Sequence, residues 1–319
     1  MTVTAPHARI KHVTIVGGTH GNEITGVHCI QHCQQHPEYV HRDSFQTHLL
    51  LGNPAAIQAN RRFIDKDLNR CFSAAILENA PQSHSVEIQR AHDLKHTLCD
   101  TEPATDFIID LHTSTANMGV SLIFTQTNHL MHRLLQHVAK HVDAAHFMHE
   151  PLHADLTNSH YLISCAPQSL LIEVGPIAQG LLKAQPYIQM LAAIHATLDA
   201  IHEYNLMRAH LPHSQLSNSN PADWTLPVYQ AYDTRFLPQH SDGAIQGMVH
   251  PALQDCDYQL LEPGMPEFYH FTGESTCYDG EPCYPVFINE AAYYPSAQAY
   301  SKTRRLDVNF DHPVTTTIN

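Results

Sequence analysis

Short apolar runs alternate with longer helix-like segments through the first two thirds of the chain. The runs are rich in β-branched and aliphatic residues, as expected for strands that are covered on both faces. Strands are predicted at residues 12–18, 47–53, 106–112, 121–124 and 169–175, and helices at residues 22–35, 84–99, 129–142 and 180–204. This alternation predicts an α/β fold in which helices cover both faces of a parallel or mixed sheet.

The pattern changes near residue 210. Residues 210–227, HLPHSQLSNSNPADWTLP, are rich in Ser, Asn and Pro and lack an apolar period, which predicts a linker or long loop. The segments beyond it are short, aromatic and interrupted by Pro and Gly, as in small β-rich domains. A length of 319 residues also favours two domains. We therefore predict a catalytic domain at residues 1–208 and a smaller β-rich domain at residues 209–319.

The charge balance argues against nucleic acid or an acidic membrane surface as a partner. Lys and Arg number 17 against 31 Asp and Glu, so the formal net charge is −14, whereas both partners require a basic face. Protonation of all 28 histidines would change this charge to +14. We therefore expect a surface field that depends strongly on pH below about 6.5.

The sequence also bears on the cellular compartment. The N-terminal MTVTAPHARIKH has no apolar run of the secretory type, and no stretch approaches the ~18 apolar residues of a membrane span. The eight cysteines form no C-x-x-C pair, and Cys29 and Cys33 share a predicted helix. We expect free thiols in a reducing cytoplasm.

Several histidine patterns are poor candidates for catalysis. The sequence HEPLH at residues 149–153 matches the H-E-x-x-H metalloprotease pattern, which works only on a helix. Pro151 disfavours a helix there. Glu87 follows His84 in an H-x-x-E pattern, but it is more simply a first-turn charge of a helix. Solvated helix faces explain the histidines spaced by four, which are His28, His32 and His36, and His92 and His96.

Two predicted strands end in a different kind of group. His20 and Glu23 follow the paired glycines after the first strand, and His112 ends the strand DFIIDLH. Ligands bind at the carboxyl ends of strands in open α/β sheets, and two histidines with one carboxylate form a three-ligand zinc site. Asp110 precedes His112 by two residues and could orient an imidazole ring by a hydrogen bond without binding the metal itself. The alternative, in which His20 caps a turn and His112 is an incidental core residue, does not explain their matching positions.

Two further features predict substrate chemistry. Residues 61–70, RRFIDKDLNR, carry three arginines, and arginine forms a planar fork that binds carboxylates; a solvated charged segment is the alternative. Glu173 interrupts the apolar run SLLIEVG, where a carboxylate is costly unless it faces a cleft or a partner. A catalytic base would account for it.

These residues resemble the aspartoacylase family of zinc carboxypeptidase-like hydrolases. The matching stretches are GGTHGNEITGV, RFIDKDLNR, DLHTSTANMG, IEVGPIAQG and VFINEAAYY, in the family's order from Gly17 to Tyr294. The resemblance implies a zinc carboxypeptidase-like mixed sheet with a C-terminal β-rich domain. It also implies one zinc ion per chain, held by His20, Glu23 and His112.

The resemblance implies a role for each remaining motif residue. Arg62 would help to polarise the scissile carbonyl, Asn69 and Arg70 would hold the substrate carboxylate, and Glu173 would shuttle the proton. Tyr293 would reach the substrate from the C-terminal domain.

One departure from the family concerns the substrate side chain. Aspartoacylases carry an arginine about ten residues before the E-V-G-P glutamate, but this chain has no arginine between Arg133 and Arg208. The candidates to replace it are His160, Lys183, Arg235, Arg304 and Arg305.

The expected activity is hydrolysis of N-acetyl-L-aspartate, with less preference for aspartate than is usual in the family. A related deacylase or desuccinylase with another preference is the enzymatic alternative. A histidine-rich metal-binding or storage protein is the alternative from another class. The sequence leaves the oligomeric state open, with a homo-oligomer allowed.

Overall fold

A mixed nine-stranded sheet forms the centre of the molecule. The computed structural model describes residues 9–150, 159–210 and 225–308. The strand order is β11-β12-β7-β5-β4-β6-β3-β1-β2. Its strands are β1 (His12–Gly17), β2 (Gln46–Leu51), β3 (Phe107–Thr113), β4 (Gly119–Phe124), β5 (Ala145–His149), β6 (Gln168–Gly175), β7 (Leu226–Phe236), β11 (Tyr284–Val286) and β12 (Gln298–Val308).

Helices cover both faces of this sheet, as predicted. They are α1 (Ile24–Gln35), α2 (Pro54–Ala59), α3 (Ala74–Glu78), α4 (Val86–Lys95), α5 (His129–His141) and α6 (Ala184–His210). Along β3, Ile109 and Leu111 pack in one core with residues of α1, α5 and α6, whereas Ile108 packs in a second core with residues of α4. Successive side chains of a strand point to opposite faces, so an apolar run fills both cores.

Short helices connect these elements, mainly on the side of the sheet covered by α4. A π-helical turn follows α4 at His96–Asp100, and a 3₁₀ helix precedes β6 at Leu162–Cys165. The remaining 3₁₀ turns are Pro37–Tyr39, Leu68–Arg70, Ala80–Gln82 and Ala291–Ser296. No helix of the described segments is long and apolar enough to cross a membrane.

The direction of the central strands brings the predicted site residues to one edge. β1, β3 and β6 are mutually parallel neighbours, and β4 runs antiparallel to β6. The carboxyl ends of β1, β3 and β6 therefore lie together. The register pairs His112 with Glu173, so the predicted ligand and the predicted base lie on adjacent strands.

The C-terminal part is β-rich, as predicted, but it also extends the main sheet. β7 pairs with β5, and β12 and β11 follow outward from β7. A separate three-stranded sheet contains β8 (Gly247–Val249), β9 (Pro266–His270) and β10 (Ser275–Cys277). The predicted α/β class with a β-rich C-terminal part is confirmed. The boundary at residues 208/209 stays a prediction.

Some local expectations changed. β5 was missed, because AHFMH is short and its histidines hide the strand pattern. His149 ends this strand, so the first histidine of HEPLH does not lie on a helix; residues 151–153 lie outside the described residues. The final helix continues to His210 instead of ending at Tyr204. Cys29 and Cys33 are buried free thiols, as predicted.

Candidate metal-dependent active site

A sharp turn after β1 places the first two predicted ligands. Gly18 has a φ of +73°, which favours glycine, and a Cβ on Gly17 would clash with the carbonyl oxygen of Gly26. The chain can therefore turn close to the start of α1. Glu23 is the residue that precedes this helix, and His20 lies in the turn itself.

His20, Glu23 and His112 converge in a buried group. Nδ1 of His20 lies 2.7 Å from Oε1 of Glu23, and Nδ1 of His112 lies 3.0 Å from Oε2 of the same carboxylate. One ligand atom from each of the three residues falls within 4.8 Å of the others, a spacing that could hold a metal ion. All three are at most 4 % exposed, so a metal here would be shielded from bulk water.

A second layer of carboxylates orients both imidazoles. Asp67 Oδ1 lies 3.0 Å from Nε2 of His20, and Asp110 Oδ2 lies 2.8 Å from Nε2 of His112. Thr19 donates a hydrogen bond of 2.6 Å to the other oxygen of Asp110. These partners favour a proton on each Nε2 and leave each Nδ1 lone pair for a metal. The predicted position of Asp110 is confirmed, whereas Asp67 was not anticipated.

The charge of Glu23 suits metal binding. Burial alone would raise the pKa of this carboxyl, but the nearby His20 and His112 rings lower it below its usual range. Glu23 therefore remains ionised. It also accepts hydrogen bonds from Nη1 of Arg62 at 3.2 Å and from the backbone N–H of Thr113 at 3.0 Å.

Arg62 is held beside the metal-ligand group by the same acids. Its Nε and Nη2 donate to Oδ2 of Asp67 at 3.1 and 2.9 Å. Burial acts to lower the pKa of this guanidinium, but Glu23 and Asp67 outweigh it and the pKa is raised. The cation thus lies beside the metal-ligand group and lines the same cavity.

Glu87 lies in the first turn of α4, as predicted, and it also holds the loop that carries Arg62. Its side chain is fully buried. One oxygen accepts from the backbone N–H of Ile64 at 2.7 Å, and the other accepts from those of Asp65 and Lys66 at 3.0 and 3.1 Å. Only the packing of α4 on this loop reveals the contact, because the two segments are distant in sequence.

Asn69 and Arg70 border the same cavity. Asn69 is buried, and its Oδ1 accepts a hydrogen bond of 2.8 Å from the backbone N–H of Leu162. Arg70 lies over the ring of Tyr161 at 4.9 Å and donates to the carbonyl oxygen of Asn69 at 2.8 Å. These contacts hold a guanidinium at the cavity wall.

Glu173 and Tyr293 face the cavity from opposite parts of the chain. Burial, reinforced by the charge of Glu23, raises the pKa of Glu173 well above its ordinary value. Burial together with the charge of Glu173 also raises the pKa of Tyr293, whose phenol therefore stays protonated. A carboxyl group with a raised pKa is suited to both accepting and returning a proton.

Glu290 fixes the segment of Tyr293 against the catalytic part. It accepts hydrogen bonds from the backbone N–H and the hydroxyl of Thr115 at 2.7 and 3.0 Å, and from the hydroxyl of Ser114. These residues follow β3, which carries His112. The sequence signal for Glu290 was its place in the N-E-A-A-Y-Y motif, but no role for it was predicted.

Comparison with known proteins identifies the family. Residues 9–201 match the succinylglutamate desuccinylase/aspartoacylase catalytic domain, and residues 225–305 match the AstE/AspA barrel-sandwich hybrid domain. The chain belongs to the succinylglutamate desuccinylase/aspartoacylase family. The resemblance found in the sequence is thus confirmed. The family's members are hydrolases and are in general zinc-dependent, so this protein is an enzyme of the amidohydrolase type.

Individual relatives differ in the activities that their names give. A probable aspartoacylase of Nostoc sp. is 38 % identical over 306 residues, which cover 94 % of this chain and 98 % of the relative. An N-acyl-aromatic-L-amino acid amidohydrolase of Xenopus tropicalis is 35 % identical, with 96 % of both chains covered. The crystal structure of murine aminoacylase 3 matches with a TM-score of 0.84 at 32 % identity, covering 94 % of this chain and 97 % of that one.

In this member of the aspartoacylase family, the cavity beside the ligand group has a volume of about 430 Å³. Its lining contains the polar residues described above. It also contains five apolar and aromatic residues, which are Ile123, Met148, Tyr161, Leu171 and Phe287.

Arg62 and Arg70 are the only lysine or arginine residues among the described lining of this cavity. All 17 lysines and arginines of the chain lie in its described parts. Ion pairs already engage Arg62 with Glu23 and Asp67. The cavity therefore offers one cation, Arg70, for a substrate carboxylate.

The five candidates for the missing specificity cation lie elsewhere. Arg235 is bound to Glu267 at 2.7 and 2.8 Å, and Arg304 lies over the ring of Tyr232 at 4.5 Å. The other three do not line the cavity, and they are His160, Lys183 and Arg305. None of the five thus replaces the family's arginine in this structure.

The remaining histidine groups do not form comparable metal sites. Among the described residues, His20, Glu23 and His112 are the one group of three or more His, Cys, Asp or Glu residues with suitable spacing. In the His28, His32 and His36 series, His28 and His36 are exposed and His32 is half-buried. This favours the predicted surface role for the series.

Proposed function

We propose that this enzyme hydrolyses the amide bond of N-acyl-L-amino acids with one zinc ion, releasing the amino acid and a carboxylate. The observation that carries the proposal is the convergence of two imidazole Nδ1 atoms and one carboxylate beside Arg62. This donor set fits zinc, which in catalytic sites takes three protein ligands and leaves one position open. His20, Glu23 and His112 would hold the ion. When bound, zinc polarises a carbonyl and lowers the pKa of water to about 7.

Glu173 is the proposed proton shuttle. Its raised pKa and its place in the cavity suit a group that takes a proton from the attacking water and returns it to the leaving amine. Arg62, which contacts the ligand group through Glu23, would stabilise the oxyanion that forms at the scissile carbonyl. These two residues supply the proton transfer and the charge stabilisation of the reaction.

Arg70, Asn69 and Tyr293 are the proposed substrate-binding residues. Arg70 is the cavity cation not engaged in an ion pair among the described residues, so it is assigned to the α-carboxylate. Asn69 supports it through its backbone carbonyl. The protonated phenol of Tyr293 would donate a hydrogen bond to the substrate.

The cavity wall favours an uncharged, apolar or aromatic amino-acid side chain. Burying such a side chain against Met148, Leu171 and Phe287 is favourable, whereas a second carboxylate would find no further arginine or lysine among the described lining. The activity named for the Xenopus tropicalis relative agrees with this choice. N-acetyl-L-aspartate is the second candidate, supported by the motifs and by the name of the Nostoc relative.

A substrate screen tests the proposal. Purified, zinc-loaded protein would be assayed for kcat/KM with the N-acetyl derivatives of phenylalanine, leucine and aspartate. We expect hydrolysis of all three in that order. Absence of hydrolysis for every N-acyl amino acid would overturn the proposal, and a strong preference for aspartate would favour the second candidate.

Zinc stoichiometry separates an enzyme from a storage protein. Metal analysis after removal of loosely bound ions should find one tight zinc per chain. Several equally tight ions would favour the storage alternative, since storage requires neither Arg62 nor Glu173.

A further inference from the structure

Glu150 places a carboxylate on the cavity wall next to the apolar side chains. It directly follows β5 and lines the cavity together with Met148 of that strand. Its Oε1 accepts a hydrogen bond of 3.1 Å from the hydroxyl of Tyr161. No lysine, arginine or histidine among the described residues forms an ion pair with it.

The other carboxylates of the cavity have partners or a role in the reaction. Glu23 contacts both histidines and Arg62, Asp233 forms an ion pair of 3.0 Å with Lys302, and Glu290 binds the loop after β3. Glu173 is the proposed proton shuttle. Glu150 is therefore the lining carboxylate that has no ion pair among the described residues, no role in the proposed reaction and one side-chain hydrogen bond, from Tyr161.

Tyr161 connects this carboxylate to the proposed α-carboxylate site. Arg70 lies over the ring face of Tyr161 at 4.9 Å, and Glu150 accepts from the hydroxyl of the same ring. An amino acid held by Arg70 would thus extend its side chain into a space bordered by Glu150. A second carboxylate in that space would meet a like charge.

We propose that Glu150 is a specificity-determining residue that disfavours N-acyl amino acids with an anionic side chain. It leaves uncharged side chains acceptable, including those that donate a hydrogen bond to its second oxygen. The inference rests on the proposed function. The apolar lining residues bind an uncharged substrate side chain, and Glu150 in addition disfavours an anionic one.

N-acetyl-L-aspartate and N-acetyl-L-asparagine provide the matched test, because they have nearly the same size and differ in charge. Two like charges ~8 Å apart at an effective dielectric constant of about 20 correspond to about 30-fold in rate. We expect wild-type kcat/KM to favour the asparagine derivative by at least about this factor. Glu150→Gln should reduce the ratio at least tenfold, while its amide oxygen can still accept from Tyr161.

Two variants serve as controls for this ratio. Tyr161→Phe removes the hydrogen bond but keeps the charge of Glu150, so the asparagine derivative should remain preferred. Glu38→Gln removes one negative charge from an exposed side chain outside the cavity and should leave the ratio and the activity unchanged.

Product inhibition provides a measurement that does not depend on the folding of a variant. L-asparagine should inhibit the wild-type enzyme more strongly than L-aspartate, and equal inhibition would overturn the role of Glu150. An unchanged substrate ratio in active Glu150→Gln would also overturn it and leave the proposed function intact. Failure of the wild-type enzyme to hydrolyse any N-acyl amino acid would overturn both.

Discussion

Glu173→Gln tests the proposed mechanism directly, because it preserves the size of the side chain and removes its ability to carry a proton. General acid–base catalysis typically contributes 10²–10⁴-fold to the rate. At about 1.4 kcal/mol per decade, this equals about 3 to 6 kcal/mol of barrier. Glu173 is only 7 % exposed, so bulk water cannot readily replace it. We therefore expect kcat to fall by about 10³–10⁴-fold.

The same substitution should hardly affect stability. The described contacts give the Glu173 carboxylate no hydrogen bond or ion pair, so glutamine forfeits none. Burial raises the pKa of Glu173, which means that its charged form is unfavourable in the folded protein. Glutamine removes this unfavourable charge. We expect the free energy of unfolding to change by less than about 1 kcal/mol and Tm by less than about 4 °C.

Three measurements on one preparation decide the matter. They are kcat with saturating N-acetyl-phenylalanine, zinc content by metal analysis and Tm by differential scanning fluorimetry. Glu203→Gln, an exposed carboxylate on α6, is the control for the loss of one charge. A Glu173→Gln protein that keeps full activity, or that unfolds while its specific activity is unchanged, would refute the role assigned to Glu173.

Four further substitutions test the metal site and the framework. His112→Ala should lose zinc and activity, whereas His149→Ala should keep both; the opposite result would mean that the wrong histidine was chosen. Glu87→Ala should lower the free energy of unfolding by about 3 kcal/mol and reduce kcat/KM, because it leaves buried N–H groups of the Arg62 loop without a partner. Urea unfolding measures this free energy, and an unchanged value would contradict the role of Glu87. Burial raises the pKa of Asp257 to about 7, so the proton it holds stabilises the folded state fully below about pH 4, and this contribution is lost as pH rises toward 7. The stability of Asp257→Asn relative to wild type should therefore increase between pH 4.5 and 7.5 in urea unfolding, and parallel curves would contradict this.

The sequence alone determined the class of the fold and the principal group of the site. Apolar runs with β-branched residues predicted β1, β2, β3, β4 and β6, because such runs are stable only when both faces are buried. His20, Glu23 and His112 could be found because each lies at or just after the end of such a strand. Asp110 was found for the same reason, since side chains two apart on a strand point the same way.

Tertiary structure alone decided which distant groups complete the site. Asp67 and Glu87 serve the site only because a loop folds back on β1 and α4 packs on that loop. Glu290 reaches Thr115 across 175 positions of sequence. The proposed role of Glu150 in specificity follows from its hydrogen bond with Tyr161 and from its place in the cavity. In that cavity Arg70 is the one described lysine or arginine left for a substrate carboxylate. Periodicity and motif spacing report local geometry, whereas hydrogen bonds and unpaired charges depend on which segments meet in three dimensions.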